Sequence, residues 1–189
     1  MQLRPLLLAV AGVGLLAAAA VPAAADILTG PVTNPANGHT YYLLEPDSWD
    51  NSEAEAVALG GHLVTVNDAA ENQWIYDTFD GGLARNLWLG YNDVAVEGTF
   101  VWSSGETPGY TNWRDGEPND GVGFPSSNQD YARMTAETPL QWDDISADDT
   151  FDPTLPGGAP FGVVEVVPEP TSVGLLGAAG LATLMRRRR

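Results

Sequence analysis

Apolar positions recur with two different periods along this chain, and the change of period falls near its middle. Tyr41-Tyr42-Leu43-Leu44 is a short apolar run and predicts a strand. From Trp49 to Leu59, the residues Trp49, Ala56 and Leu59 return on one face. That predicts a helix capped by Ser48 and stopped at Gly60-Gly61. Leu63 to Val66 is a second extended run. Asp68-Ala69-Ala70-Glu71 has capping-box spacing with Asp as the cap, and Trp74, Ile75 and Phe79 give a second helix its apolar face. Gly81-Gly82 ends it. Helix signals then disappear. Leu87 to Tyr91, Thr99 to Trp102, Tyr131 to Met134 and Phe161 to Val167 predict short strands, separated by Gly-, Pro- and Asp-rich loops. Two helices followed by small antiparallel sheets make an α+β fold, with the first and last strands expected to pair. Residues 26–37, rich in turn formers, read as a linker. The stretch from Ser103 to Asp130 is long for a loop in a compact domain, and loops of that length usually carry function.

Charge narrows the chemistry. The 189 residues hold 25 acidic and 8 basic side chains, with no lysine. Arg4 and Arg186 to Arg189 lie at the ends, so only Arg85, Arg114 and Arg133 face the carboxylates of the body. Such a surface cannot displace counterions from phosphate, so nucleic acid is excluded as a partner, and the body lacks a polybasic membrane contact. Without cysteine there is no disulfide, thiolate zinc site or cysteine nucleophile. His39 and His62 are the only imidazoles, too few for a histidine-built zinc enzyme, and neither is assigned a role. A metal here would be held by oxygen, which points to a hard cation such as Ca²⁺.

Both ends carry processing patterns. Residues 1–25 combine Arg4, an apolar run from Leu6 to Val21 and the small residues Ala23-Ala24-Ala25, as a signal peptide for signal peptidase does. Cleavage is expected after Ala25. At the other end, Pro168-Glu169-Pro170 precedes fifteen uncharged residues and four arginines. Fifteen residues fall short of the ~20 that span a bilayer as a helix. This order over residues 168–189 resembles the PEP-CTERM sorting signal of Gram-negative bacteria. The resemblance implies a transient membrane contact through the tail, recognition by an exosortase, and release or attachment at the cell surface.

The body between the signals, residues 38–167, carries a further resemblance. Leu87-Trp88-Leu89-Gly90, Tyr110-Thr111-Asn112-Trp113, Gly116-Glu117-Pro118-Asn119 and Gln141-Trp142-Asp143-Asp144 stand in the order of the signature motifs of C-type lectin-like domains. Trp49, Gly60-Gly61-His62-Leu63 and Phe100-Val101-Trp102 fit the same template. That family is usually braced by two disulfides. The aligned positions here are Ala56 with Val164 and Tyr131 with Ala147, which suits packing in place of crosslinks.

The resemblance implies a primary calcium and sugar site at Glu117, Asn119, Gln129, Asp143 and Asp144. The metal ligands would be Glu117, Asn119, Asp143 and Asp144, with a cis peptide at Pro118. It implies a second calcium site at Asp93, Glu97, Asp120 and Asp130. Gln129 and Asp143 exchange the carboxylate and amide that the family commonly carries at these two positions. Phe124 is placed to stack on a sugar, or equally to anchor the loop. Trp88, Trp102 and Trp142 read as core, and Trp113 as loop packing.

The function implied is an exported, calcium-dependent carbohydrate-binding module for mannose- or glucose-type glycans or exopolysaccharide. A surface or biofilm protein that uses the fold for protein contacts, with calcium merely structural, is the alternative. A glycoside-active enzyme with Glu117, Asp143 and Asp144 as its acid and nucleophile is the weaker rival, since carboxylates crowded onto a cation stay ionised.

Overall fold

In the computed structural model, residues 25–121, 128–146 and 155–168 are described. The elements run β1 Ile27–Thr33, β2 Thr40–Pro46, α1 Trp49–Ala58, β3 His62–Leu63 and α2 Ala69–Ile75, which continues as a π-helical turn over Tyr76–Asp80. They go on as β4 Leu87–Asn92, β5 Val101–Trp102, β6 Tyr131–Met134, β7 Trp142–Ile145 and β8 Phe161–Val166. Residues 1–24 of the signal peptide, Phe124, Ala147, Glu169-Pro170 and the arginine tail lie outside the described residues. No helix among the described residues is long and apolar enough to cross a membrane.

Both helices start as the caps dictate. Ser48 accepts a hydrogen bond from Asn51 N, and Asp68 accepts from the N–H groups of Ala70 and Glu71. The capping box at α2 is displaced by one residue, because Glu71 accepts from Asn67 N at 2.8 Å and not from the cap itself. β2 and β8 pair antiparallel, so the two ends of the motif-bearing region meet as expected.

Three expectations are corrected. Residues 26–37 are not simply a linker: β1 pairs with β2 and forms one edge of the sheet. Pro31 hid this strand, but proline is tolerated at an edge, where its missing N–H breaks no ladder. The separate small antiparallel sheets are one sheet, ordered β1-β2-β8-β4-β6-β7, with β3 on β8 and β5 on β4. It is mixed, because β4 and β8 run parallel, and the long intervening chain gives the crossover that parallel strands need. Finally, Trp142–Ile145 is itself a strand. Two consecutive carboxylates, Asp143 and Asp144, conceal it from an apolar-pattern reading.

The core lies between α2 and the sheet, where Tyr41, Leu43, Ile75, Leu89, Trp142 and Val163 are fully buried. The tryptophans assigned to the core are there, with their indole N–H groups satisfied where they are deepest: Trp88 donates to Asp47 O and Trp142 to Asn72 Oδ1, both at 2.8 Å. Ala56 and Val164 pack together with Leu44, so apolar contact occupies one crosslink position. Tyr131 stacks on Trp49 with ring centroids 5.1 Å apart at the other. Gly61 and Gly90 are required by close approach, since a side chain would collide with the Glu165 backbone at the first and with Leu63 O at the second.

Candidate metal centre

The long loop reaches β7 through main-chain bonds. Trp142 N donates to Asn112 O at 2.8 Å, and Arg114 N donates to Trp142 O at 2.9 Å. Trp113 packs its ring on Trp142 and Phe100, which makes it the loop anchor expected. This seam sets Arg114 and Glu117 beside Asp143 and Asp144. The Glu117-Pro118 peptide is cis, as the resemblance implied.

Asp144 then organises the turn that follows. Its carboxylate accepts from Asn119 N at 3.1 Å and from Asp120 N at 2.8 Å. Glu117 faces Asp144 directly. Burial first, and then the Asp144 carboxylate, pushes Glu117 up to about 7, while Arg114 opposes the rise. Two carboxyl groups that face each other need either a proton or a cation between them.

Two polar atoms here are buried without a hydrogen-bond partner, Glu117 Oε2 and Asn119 Oδ1. Both are hard oxygens on residues expected to be metal ligands, so the donor set fits Ca²⁺. The fit is incomplete in one respect. Among the described residues no three acidic or histidine side chains converge into a ready-made cage. Asp143 shows why. It is only 2 % exposed, and both its oxygens are held by arginines. Arg133 Nε donates to Oδ1 at 2.7 Å, Arg133 Nη2 to Oδ2 at 3.1 Å, and Arg114 Nη2 lies 3.2 Å from Oδ2. Asp143 thus faces cations of the chain itself. Gln129 donates its main-chain N–H to Asp120 Oδ1 at 3.0 Å, and among the described residues its side chain makes no bond to Asp143.

The second group of acids is drawn together through Asp120. Asp93 is 2 % exposed; its Oδ2 accepts from Gly98 N at 2.8 Å, and its Oδ1 is buried without a partner. Burial, and then the Asp144 charge, raises Asp93. Burial, then Asp93 and Asp120, raise Asp130. Glu97 is raised by desolvation and then by Asp93, Asp120 and Asp130. The four expected residues therefore share one field, and Asp93 Oδ1 supplies an unclaimed oxygen within it.

Sequence reasoning missed Arg114 and Arg133. Their scarcity was a signal, since two of the three arginines in the body end here. Only the register β6–β7, which sets Arg133 opposite Asp143, turns that scarcity into a site. The two histidines are engaged elsewhere, His39 on Glu165 and His62 on Glu53, each at 2.6 Å.

Comparison with known proteins bears on the fold and the family. The chain is 29% identical over 134 residues to a perlucin-like protein of Mytilus galloprovincialis, covering 66% of this chain and 83% of that one. It is 32% identical over 129 residues to lectin BRA-3 of Megabalanus rosa, covering 62% and 75%. Its fold matches the crystal structure of the C-type lectin CEL-I of Cucumaria echinata with a TM-score of 0.58 at 24% identity, over 76% of this chain and 96% of that one. The PEP-CTERM protein-sorting motif matches residues 166–189. The lectin C-type domain matches residues 45–151, more than half of the chain, and the chain therefore belongs to the C-type lectin domain family.

Proposed function

We propose that this protein is an exported calcium-dependent carbohydrate-binding module. The observation that carries this reading is the pair of buried, partnerless oxygens, Glu117 Oε2 and Asn119 Oδ1, on the loop that faces Asp144. Glu117, Asn119 and Asp144 would hold Ca²⁺. Asp93, Glu97, Asp120 and Asp130 would hold a second ion. Bound calcium supplies a Lewis-acid centre with coordination positions open to two neighbouring sugar hydroxyls. The chain's own groups do the rest: a carboxylate accepts from each hydroxyl and an amide donates to it, and such charge-assisted bonds are the stronger kind. Glu117-Pro118-Asn119 favours mannose- or glucose-type hydroxyl geometry.

The lectin relatives support the carbohydrate class, and the sorting motif supports export from a Gram-negative cell, with exosortase acting near Pro168. An exopolysaccharide is the natural partner for a surface protein of this kind. The match to the lectin C-type domain supports binding over catalysis. One observation favours the alternative of a surface protein with structural calcium: Asp143 is already neutralised by arginines, which removes one expected hydroxyl acceptor. A glycan array probed with and without chelator separates the two. Calcium-dependent retention on mannose- or glucose-type glycans is expected. Calcium-stabilised protein that retains no glycan would establish the alternative.

A further inference from the structure

In a chain with 25 acidic side chains and, away from its two ends, only three arginines, two guanidinium groups meet on a single acid. Arg133, 5 % exposed, is fixed on Asp143 from the neighbouring strand. Arg114 reaches the same carboxylate from the loop, and it touches two more. Its Nε and Nη2 lie 3.2 and 3.1 Å from Glu117 Oε1, and its Nη1 lies 2.8 Å from Glu137 Oε2. The two oxygens of Glu117 are therefore divided. Oε1 belongs to Arg114, and Oε2 has no partner.

We propose that Arg114 is the resident counter-cation of the primary site, that it limits Glu117 to a single oxygen for calcium, and that it sets the calcium affinity. The inference rests on the calcium reading of this site. Of the three carboxylates Glu117, Asp143 and Asp144, two are paired with guanidinium groups, so the net negative charge offered to a metal is smaller than the acids alone suggest. A guanidinium cannot deprotonate to make way for a divalent ion. It stays charged on the far side of Glu117 and opposes Ca²⁺ across one carboxyl group. Asp143 acts as a positioning residue: with both oxygens on arginines, it holds Arg114 in place and leaves the metal to Glu117, Asn119 and Asp144. The charge exchange between positions 129 and 143 is then explained, because the extra carboxylate at Asp143 answers Arg133 and Arg114.

Calorimetric titration of the purified full chain with Ca²⁺ alone, without sugar, tests this. Arg114→Gln is expected to tighten calcium binding on the order of tenfold through loss of a like charge. The same variant is expected to melt lower than wild type in chelator, because Glu117, Asp143 and Glu137 lose their shared partner. A residue with a merely structural role would lower both. Equal or weaker calcium binding by a folded Arg114→Gln overturns the proposal and leaves the calcium reading intact. Binding by the variant where wild type binds none supports the proposal and overturns calcium dependence of the native protein. No binding by either overturns both.

If Arg114→Gln fails to fold, the arginine Nε–H resonances of wild type decide, with Arg114 assigned through Arg114→Lys. The Arg114 signal is expected to shift when Ca²⁺ is added, while that of Arg133 stays. A stationary Arg114 signal under saturating calcium overturns the proposal.

Discussion

Two clusters of buried acids sit in this domain, and they are finished differently. One lies between β2, α2 and β8. Tyr41 Oη bridges Glu71 Oε1 at 2.6 Å and Glu165 Oε1 at 2.8 Å. Glu71 Oε2 accepts from Asn67 N, Glu165 Oε2 accepts from Thr65 N, and His39 and Asn37 close the rim. Every carboxylate oxygen there has a partner. In the other cluster, Glu117 Oε2, Asn119 Oδ1 and Asp93 Oδ1 have none. A buried polar atom left unmatched is costly, and three hard oxygens in adjoining loops leave that cost for a cation to relieve. The first cluster holds the fold; the second is the one that the proposed calcium would complete.

The largest effect tests the finished cluster. Glu165 is 5 % exposed, and Glu165→Ala strands Tyr41, His39 and Thr65 N. Breaking a buried ionic group costs about 3–5 kcal/mol. For a domain of this size that lowers Tm by roughly 10 °C or more. Thermal melting in calcium and in chelator is expected to show the same loss, because this cluster owes nothing to metal.

Next in size is calcium itself. A ligand present at a hundred times its Kd stabilises the folded state by about 2.7 kcal/mol, and no disulfide masks the gain. Melting in millimolar calcium against chelator reads it directly. A matching Tm in the two conditions would remove the distinction between the clusters.

Asp93→Asn sharpens the comparison through a change of sign. Burial and Asp144 both disfavour the Asp93 charge. In chelator the variant is expected to melt higher than wild type, by about 1 kcal/mol of stability or less. In calcium it should melt lower, because it has lost an anionic ligand. Two melts per protein decide it, and a variant lower in both conditions contradicts the reading of Asp93 Oδ1.

The last comparison is the pH dependence of the metal-free protein. The folded pKa of Glu117 is about 7, above the ordinary 4.5, so between those values the folded state binds more protons than the unfolded one. That contribution is fully present below about 4.5 and is lost as pH rises through about 7. Asp93, Asp130 and Glu165 are raised too and act in the same direction. In chelator, stability should therefore fall from pH 5 to pH 8. In calcium the slope should reverse, since protons compete with the metal for Glu117. Denaturant melts at three pH values check both slopes.

The helices were legible because their signals are local. Ser48 and Asp68 cap through their own side chains, and Trp49, Ala56, Trp74 and Ile75 mark faces by spacing. Most strands were legible for the same reason. The missed strands show the limit of that reading. β1 contains a proline that only an edge tolerates, and β7 contains two acids held from elsewhere, Asp143 by arginines and Asp144 by the N–H groups of Asn119 and Asp120. The motif order carried the site region, and the structure brings Glu117, Asn119, Asp143 and Asp144 together. It does not join Gln129 to Asp143.

By itself the sequence determined the caps, the helix faces, the acidic hard-oxygen chemistry, the absence of crosslinks and the family. These depend on residue type and on neighbours a few positions away. The tertiary structure alone decided which carboxylates are satisfied and which are left open. Arg133 meets Asp143 through the register of two strands, Arg114 meets it through a loop docked on Trp142, and Glu71 meets Glu165 across 94 positions of chain through one tyrosine. In composition all these acids look alike. Their roles differ because charge pairing acts over a few ångströms of space, and distance along the chain does not measure that space.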